Sequence, residues 1–525
     1  MDALIPLKRL SVDWPGRFSN YVERLFVRFD DPALSKLAHW AVLALAIAIV
    51  AFPFGWSAGE ENYFQLAYRW VRPDQFGPYS AAFDQSSGKF LAFTIYGHII
   101  DLLGYDGAHS LLTAVSIAFT AFALLRLSRT FGLSALDALA ILAIYLTAGQ
   151  SLMGGEGFVG VAEPKPFCYG FGILAFAEAG SARARWAMVA IWSAISVYIH
   201  FQVGTIWFAL SWLLLVLTDR DWRKALFTAL LFLILVAPEF VMLVRDQLRF
   251  AGHVGPVGMP TADHIYAVLR APHHLAPFAE EGGWPKLAVR GLGYSVVIAA
   301  GAIYGLRQPD RPLRPLAIVV LLLAAYQFIA VGLSWLDRET LVLAKLYLFR
   351  PAASALLLAL LLFAALWRRR TADLPAVRLL PMAAVIAVFL VHAGSRKHNG
   401  QLFPANANAR AMIEEVRSRT QPSDAVLLDP VIDSQTKLIR QIGRQTFVTW
   451  KFVPTNPPEI HRWWGLMKRR EAAFSGDCSK IEPAARFLVA ISGRAETLAP
   501  CGRIVWSNED FVLIEPSRGA GDPQR

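Results

Sequence analysis

Long runs of apolar residues separated by short polar loops occupy the first three quarters of the chain. They predict membrane-spanning helices, because a helix needs about 20 mainly apolar residues to cross a bilayer. The predicted spans are 37–57, 108–126, 135–152, 166–179, 186–200, 203–218, 224–243, 287–306, 315–335, 350–367 and 377–393. The apolar stretch 89–103 is shorter and carries His98 and Asp101. We therefore expect a juxtamembrane or re-entrant helix there and not a span.

Basic residues are concentrated in alternate loops, and this predicts the orientation of the chain. Cytoplasmic loops of membrane proteins carry an excess of Lys and Arg. The basic loops contain Arg126, Arg129, Arg183, Arg185, Arg220, Arg223, Lys224, Arg307, Arg311, Arg314, Arg368, Arg369, Arg370 and Arg378. With about eleven spans, all of these loops lie on the side of the N-terminus. We expect that side to be the cytoplasm, in a bacterial inner membrane. If 89–103 crossed the bilayer, every later Arg-rich loop would face outward.

The two ends of the chain differ from this apolar region, which we take as a membrane domain over 37–393. Residues 1–36 show aromatic residues at helical spacing beside Arg17, Arg24 and Arg28, which predicts a cytoplasmic amphipathic segment. It would lie on the membrane surface or on the protein's own loops. The segment is too mixed in composition for a cleavable signal.

After residue 394 the long apolar runs stop, and short helical and strand patterns alternate. Helices are predicted at 407–419, 434–443 and 459–473, and strands at 425–428, 447–452, 487–491, 503–506 and 511–514. This alternation predicts a periplasmic α/β domain over 394–525. Cys478 and Cys501 both fall in it, and sequence alone leaves open whether they form a disulfide.

Composition agrees with a polytopic α-helical membrane protein. The chain has 525 residues, of which 55% are hydrophobic and 17% charged, which excludes an ordinary soluble enzyme. The net charge of +11 raises nucleic-acid binding as an alternative. The basic residues occupy short loops between spans, so they are explained by membrane orientation, and we expect no nucleic-acid partner.

Four clusters of polar residues fall in loops expected on the outer side. The first contains Glu60, Glu61, Asn62, Arg69 and Lys89; the second Glu156, Glu163 and Lys165; the third Arg270, His273 and His274; and the fourth Arg338, Lys345 and Arg350. Any one of them could be a solvated loop. Carboxylates at a membrane boundary are costly to desolvate, however, and four such clusters on one side indicate a site.

Group transfer from a lipid phosphate fits these residues. Cations near the membrane surface would bind the phosphate oxygens, and the candidates are Lys89, Lys165, Arg270 and Arg350. Glu60 or Glu61 would act as general base on the acceptor hydroxyl. We also place Asn62, Arg69 and Glu163 among the substrate-binding candidates. The phosphate is a good leaving group, so no second nucleophile is needed.

The pair His273-His274 admits three interpretations: a metal site, a contact to sugar or phosphate, or a loop cap. Adjacent histidines rarely point at one metal ion, and a metal site needs further ligands that the spacing does not supply. We therefore expect a polar substrate contact, with no metal ion and no cofactor.

The acidic pair after the first span, the long first loop with its juxtamembrane helix and the second acidic loop together resemble the GT-C superfamily. These are membrane glycosyltransferases that use polyprenyl-phosphate sugars, and the nearest groups are the protein O-mannosyltransferases and the lipid A aminoarabinose transferases. The resemblance implies that Glu60 or Glu61 is catalytic and that Lys89 contacts phosphate. The chain departs from the pattern in having Glu-Glu for Asp-Glu and Phe90 directly after Lys89. The Arg-x-Pro-His-His element has no assigned counterpart.

The sequence therefore predicts a GT-C-like glycosyltransferase with a lipid, glycan or protein acceptor. A lipid or polysaccharide transporter, a flippase, and a polymerase or ligase of surface polysaccharide remain alternatives. A transporter would place ionisable residues at mid-span and often shows internal repeats, and neither pattern is evident. Eleven or so spans exceed what an anchor for the C-terminal domain requires.

Overall fold

The structure is a computed structural model that describes most of the chain. The described residues are 36–51, 56–73, 89–154, 157–250, 252–280, 282–308, 313–372, 407–433, 436–450 and 452–517, with isolated positions between 383 and 391. Three predictions fall wholly or mostly outside them: the amphipathic segment 1–36, the role of Glu156 and the span 377–393.

Long apolar helices form the N-terminal part, which confirms a polytopic helical membrane protein. The helices are Lys36–Ala51, Ala58–Val71, Phe90–Thr130, Ala135–Thr147, Pro164–Ala179, Trp186–Ile199, Phe201–Asp219, Trp222–Arg249, Pro285–Arg307, Arg314–Leu336 and Pro351–Arg370. Among the described residues, six helices are long and apolar enough to cross a membrane. Leu233, Ile234 and Val241 are each more than half exposed, as expected for side chains that face lipid.

A glycine divides the longest helix, Phe90–Thr130, into two parts. Gly104 has φ 68° and ψ 173°, a backbone conformation that residues with a Cβ rarely adopt. The break lies between the predicted short helix 89–103 and the predicted span 108–126. The first part packs against the first-loop helix (Ala58–Val71), with Phe93 and Tyr96 buried beside Phe64. Whether that part re-enters the bilayer stays a prediction.

Two further segments of the membrane domain differ from long regular helices. The helix expected to run to residue 152 ends at Thr147, before a turn in which Gly149 and Gln150 both have positive φ. Residues 262–275 form three short helical pieces, Ala262–His264, Ile265–Arg270 and Pro272–Leu275, the second of them π-helical. This short-helix segment carries the Arg-x-Pro-His-His element.

The C-terminal region is an α/β domain with a five-stranded sheet in the order β2-β1-β3-β5-β4. The strands are β1 (Ala425–Leu428), β2 (Gln445–Thr446), β3 (Ala485–Ile491), β4 (Gly502–Ser507) and β5 (Phe511–Pro516). β1 is parallel to β2 and β3, and β5 is antiparallel to β3 and β4. Four predicted strands coincide with these, but the strand expected at 447–452 is wrong. The apolar side chains of Phe447, Val448 and Phe452 are buried in packing contacts outside the sheet ladder.

Apolar residues on both faces of the sheet explain its position between helices. Val426 and Leu428 of β1 pack with the helices Ala407–Arg419 and Thr436–Ile442, and alternate residues of the same strand face the other side. On that second side the helix Pro457–Phe474 contributes Phe474 to the core. Cys478 and Cys501 form a disulfide there, with Cα atoms 5.0 Å apart, which answers the question that the sequence left open.

Among the described residues, two helices of the C-terminal domain pack against the membrane domain. The helix Thr436–Ile442 lies against the first-loop helix. The helix Pro457–Phe474 buries Trp463 and Met467 against Ile265 of the short-helix segment. The first loop and the short-helix segment are therefore both covered by the C-terminal domain.

Candidate active site

The first-loop helix begins with a capping box that fixes the position of Glu60. The Glu60 N–H donates to Ser57 Oγ at 3.1 Å, and the Ser57 N–H donates to Glu60 Oε2 at 2.6 Å. Ser-x-x-Glu is the sequence signature of this arrangement. Glu60 is only 3% exposed, so its carboxylate is buried at the helix N-terminus.

The other carboxylate oxygen of Glu60 ties the first loop to the second. Glu60 Oε1 accepts a hydrogen bond from the Ala162 N–H and lies 3.4 Å from His109 Nε2. Burial raises the pKa of Glu60, but the hydrogen bonds from His109, Ala162 and Ser57 outweigh it and hold the pKa below its ordinary value of 4.5. Glu60 is thus an ionised carboxylate that binds backbone N–H groups of the first and second loops.

Glu61 is held by a cation from the C-terminal domain. Arg440 Nε lies 2.8 Å from Glu61 Oε2, and the two side chains are 8% and 1% exposed. The Arg440 guanidinium also lies 4.1 Å from the ring centroid of Trp56, which stacks on His109 at 4.2 Å. The acidic pair is therefore enclosed by aromatic rings and one guanidinium, and not solvated.

Glu163 lies beside the start of the first-loop helix. A Cβ at Gly59 would be 1.7 Å from Glu163 Oε1, so glycine is required for this approach. Glu163 is also the N-cap residue of the helix Pro164–Ala179, and its Oε2 lies 3.7 Å from Lys165 Nζ. The second acidic loop thus meets the first, as the sequence predicted, and it brings a lysine with it.

Arg350 and His200 form the centre of a cationic site. Arg350 Nη1 lies 2.9 Å from His200 Nε2, and its guanidinium carbon lies 4.0 Å from the ring centroid of Tyr347. Burial lowers the pKa of His200 far below its ordinary value, and the charges of Arg350, Lys89 and Lys165 lower it further. His200 is therefore neutral, with Nε2 placed to accept the Arg350 hydrogen bond.

A cavity of about 300 Å³ opens onto this group, and we call it the cationic cavity. Its described lining includes Lys89, His200, Tyr266, Lys345, Tyr347 and Arg350, with Asp263 as the one acidic residue among the described lining residues. Lys345 Nζ lies 2.6 Å from Asp263 Oδ1. The cavity is thus net positive, as a phosphate site requires.

Two tyrosine hydroxyls lie at the cationic cavity. Tyr266 and Tyr347 are joined by a hydrogen bond of 2.6 Å between their hydroxyl oxygens. Burial raises the pKa of Tyr266 well above its ordinary value, and the neighbouring Tyr347 raises it further. Tyr266 therefore stays protonated at neutral pH and supplies a hydroxyl group and no charge.

Two contacts connect the buried carboxylates with the cationic cavity. Lys89, in the cavity wall, donates a hydrogen bond of 3.3 Å to the hydroxyl of Tyr63, one helical turn after Glu60. Lys165, which is ion-paired with Glu163, lies close enough to His200 to lower its pKa. Lys89 and Lys165 are thus near both the first two loops and His200.

Three other predicted site residues are not in the described lining of the cationic cavity. Arg270 Nε donates to the Trp450 carbonyl at 2.7 Å, so it binds the C-terminal domain. His273 is exposed and lies beside His274 in the helix Pro272–Leu275, and the described lining of the cationic cavity includes neither. Asp263 and Tyr266 of the short-helix segment reach the cavity, whereas both histidines lie in the separate short helix that follows.

Two predicted site residues remain, and both lie in the first-loop helix. Asn62 is half-buried, and within the described part of the chain its Oδ1 has no hydrogen-bond partner. Arg69 lies in the last turn of the same helix, half-buried, and is not in the described lining of the cationic cavity.

Sequence reasoning missed Arg440, His200, His109 and Tyr347. His200 stands between two apolar runs, and an ionisable residue in that position is a signal for function. Arg440 offered no signal, because it is one of two basic residues on a short helix of the C-terminal domain. Among the described residues, no group of three or more His, Cys, Asp or Glu side chains could hold a metal ion.

No family model matches this chain, and no curated protein matches it. Among solved structures, the chain is similar to ArnT from Cupriavidus metallidurans in the apo state, with 13% identity and a TM-score of 0.41 over 93% of this chain and 100% of that one. The same enzyme bound to undecaprenyl phosphate gives 13% identity and a TM-score of 0.42, over 94% and 100%. ArnT is a lipid A aminoarabinose transferase of the GT-C type.

Proposed function

We propose that this protein is a membrane glycosyltransferase. It would move a sugar from a polyprenyl-phosphate donor to an acceptor on the extracytoplasmic face. One observation carries the proposal: Lys89, in the wall of the cationic cavity around Arg350 and His200, donates to Tyr63 of the helix that carries Glu60 and Glu61. A lipid phosphate needs cations near the membrane surface, and sugar transfer to a hydroxyl needs a carboxylate nearby.

Arg350 and Lys89 are the proposed ligands of the donor phosphate. Arg350 is held by His200 and by the ring of Tyr347, so its guanidinium is oriented before the donor binds. Lys89 is oriented by the hydroxyl of Tyr63. Such pre-organised cations stabilise the negative charge that grows on the leaving phosphate.

Glu61 is the proposed general base. Both carboxylate oxygens of Glu60 accept hydrogen bonds from backbone N–H groups, so that side chain serves to build the loop. Glu61 is instead paired with the side chain of Arg440, which orients its carboxylate through one oxygen. We propose that Glu163 and Asn62 bind hydroxyl groups of the sugar or of the acceptor.

The proposed step is a direct displacement. The acceptor hydroxyl oxygen forms a bond to the anomeric carbon, and the bond from that carbon to the phosphate oxygen breaks. The bonding electrons leave with the polyprenyl phosphate, which the cationic cavity binds, and the hydroxyl proton goes to Glu61. No further reactant is needed, and the charges of donor and products balance.

The sidedness of the site is also a proposal, supported by two features. The Cys478–Cys501 disulfide indicates an oxidising compartment for the C-terminal domain, such as a bacterial periplasm. Arg440 of that domain contacts Glu61 of the first loop, so both must lie on the same side. The Arg-rich loops lie on the opposite side by the positive-inside rule.

Mass spectrometry of lipid that co-purifies with the protein tests the proposal. We expect a polyprenyl phosphate or its sugar derivative from the wild-type protein and much less from Arg350→Ala. Arg338→Ala is the matched control, because Arg338 belongs to the same loop but contacts Trp335 and Glu339. Recovery of ordinary phospholipid alone, with no binding of added undecaprenyl phosphate, would overturn the proposal.

A further inference from the structure

A second cavity of about 850 Å³ lies where the two domains meet. Its wall is built from the end of the helix Trp222–Arg249, the following loop to Asp263, Trp70 of the first-loop helix, and Asn456 and His461 of the C-terminal domain. We call it the interdomain cavity. Its volume is at the upper end of the usual range for small-molecule sites, about 300–1,000 Å³.

The interdomain cavity adjoins the cationic cavity. Leu243, Asp263, Lys345 and Thr455 line both. A molecule in the larger cavity could therefore reach a donor whose phosphate lies in the smaller one. The Lys345–Asp263 ion pair of 2.6 Å stands at this shared boundary.

The two cavities differ in charge. The described lining of the cationic cavity has three basic residues and one acidic residue, with His200 neutral. In the interdomain cavity, Asp246 and Asp263 are balanced by Arg249 and Lys345. A phosphorylated or carboxylated ligand would gain no net electrostatic attraction there, whereas an uncharged polar ligand would meet donors and acceptors of both kinds.

The remaining wall residues suit a hydroxyl-rich ligand. Trp70 is 45% exposed, and its indole N–H donates to Thr94 Oγ1 at 3.1 Å, which fixes the ring. Fixed aromatic rings present an apolar face with little loss of side-chain entropy. Asn456 and His253 add hydrogen-bonding groups. His253 Nε2 lies 3.3 Å from Nδ1 of the buried His461 across the domain boundary, and His461 Nε2 lies 3.2 Å from the Pro260 carbonyl oxygen.

We propose that the interdomain cavity binds the acceptor and that the bound part of the acceptor is an uncharged saccharide. The acceptor role rests on the proposed glycosyltransferase function, since a ligand at the boundary marked by Lys345 and Asp263 adjoins the cationic cavity that would bind the donor phosphate. Trp70 supplies the stacking surface, and the C-terminal domain closes the site through Asn456 and His461. The acceptor site thus exists only when both domains are in contact.

Binding to an array of neutral, uronic-acid-containing and phosphorylated oligosaccharides tests the assignment, with the full chain in lipid nanodiscs. We expect retention of neutral oligosaccharides, and about tenfold weaker retention by Trp70→Ala because an aromatic stacking surface is lost. Trp222→Ala is the matched control, since Trp222 is 67% exposed at the opposite end of the helix whose last turns line the cavity. This variant should bind as the wild type does.

The outcomes separate this assignment from the proposed function. Retention of only charged oligosaccharides, of none, or equal retention by Trp70→Ala would overturn the saccharide site. Undecaprenyl phosphate binding should be unchanged in Trp70→Ala and reduced in Arg350→Ala. Neutral saccharide binding without any polyprenyl phosphate binding would overturn the transferase and leave the saccharide site standing.

Discussion

Arg440 of the C-terminal domain and Glu61 of the first loop form a buried ion pair, 2.8 Å from Nε to Oε2, although 379 positions separate them in the chain. The pair makes the C-terminal domain a contributor to the site and more than a cover over it. Removing one partner of a buried pair leaves an uncompensated charge, which typically costs about 3–5 kcal/mol.

Arg440→Gln is therefore expected to reduce transfer at least about tenfold and to lower the thermal stability of the protein. Arg440→Lys should restore part of both, because it keeps the charge but loses the guanidinium geometry. Arg444→Gln is the control, since Arg444 lies four residues further along the chain, directly before β2, and contacts Thr420 and not Glu61. Transfer rates and melting temperatures of the three variants test both expectations. Equal effects of Arg440→Gln and Arg444→Gln would contradict a role at Glu61.

Glu61→Gln is expected to slow transfer by about 10²–10⁴-fold, the usual contribution of a general base, with donor affinity nearly unchanged. Glu163→Gln should act mainly on the affinity for sugar or acceptor. The checks are the single-turnover rate and the dissociation constant for undecaprenyl phosphate, measured for each variant. Wild-type rates in Glu61→Gln would remove it as the base, and a large loss confined to Glu163→Gln would transfer that role to the second loop.

Arg350→Ala is expected to weaken binding of undecaprenyl phosphate by about 10–100-fold, the loss of one or two charge-assisted hydrogen bonds. His200→Ala should cause a smaller loss, because Arg350 would keep its charge but lose one of the contacts that orient it. Each variant is titrated with undecaprenyl phosphate, and the change in its tryptophan fluorescence gives the affinity. Unchanged affinity in Arg350→Ala would place the phosphate elsewhere.

Some residues of the candidate site could be predicted from the sequence, and others could not. Glu60, Lys89, Lys165 and Arg350 stand at the ends of apolar runs, where charge is expensive, and the structure brings them together through the loops. The capping signature Ser57-x-x-Glu60 even predicts a local hydrogen bond, although not the second one to Ala162. The order of residues along the chain indicates local hydrogen bonds and charges that are costly to bury. The positions of these residues depend mainly on such local features.

Other parts of the site depend on how the domains dock, and no local pattern encodes that. Arg270 resembles a phosphate-binding cation in sequence, yet it donates to the carbonyl of Trp450. Arg440 resembles an exposed cation of an amphipathic helix, yet it is nearly buried on Glu61. In the fold, the long apolar helices and four of the strands could be predicted from periodicity, but several helix ends could not, since the helix expected to run to residue 152 ends at Thr147. The strand expected at 447–452 could not be distinguished from buried irregular chain, because both give a short apolar run.

The pH dependence of stability tests the structural role assigned to Glu60. Its pKa is held below the ordinary 4.5 by His109 and by the N–H groups of Ala162 and Ser57. A depressed pKa means that the folded protein binds this proton less readily than the unfolded chain does, so the carboxylate stabilises the fold fully above pH 4.5. That contribution is lost progressively as the pH falls from 4.5 through the lower pKa of the folded state.

Melting temperatures between pH 7 and pH 3 should therefore show an acid-induced loss in the wild type that Glu60→Gln reduces. The variant should also be less stable at pH 7 by about 1–3 kcal/mol, because an amide cannot accept all of the hydrogen bonds that the buried carboxylate accepts. Glu339→Gln is the control, since Glu339 is 81% exposed and should leave both the midpoint and the slope unchanged. If Glu60→Gln kept the full acid-induced loss, another carboxylate would be responsible. Glu60 would then be free to compete with Glu61 for the catalytic role.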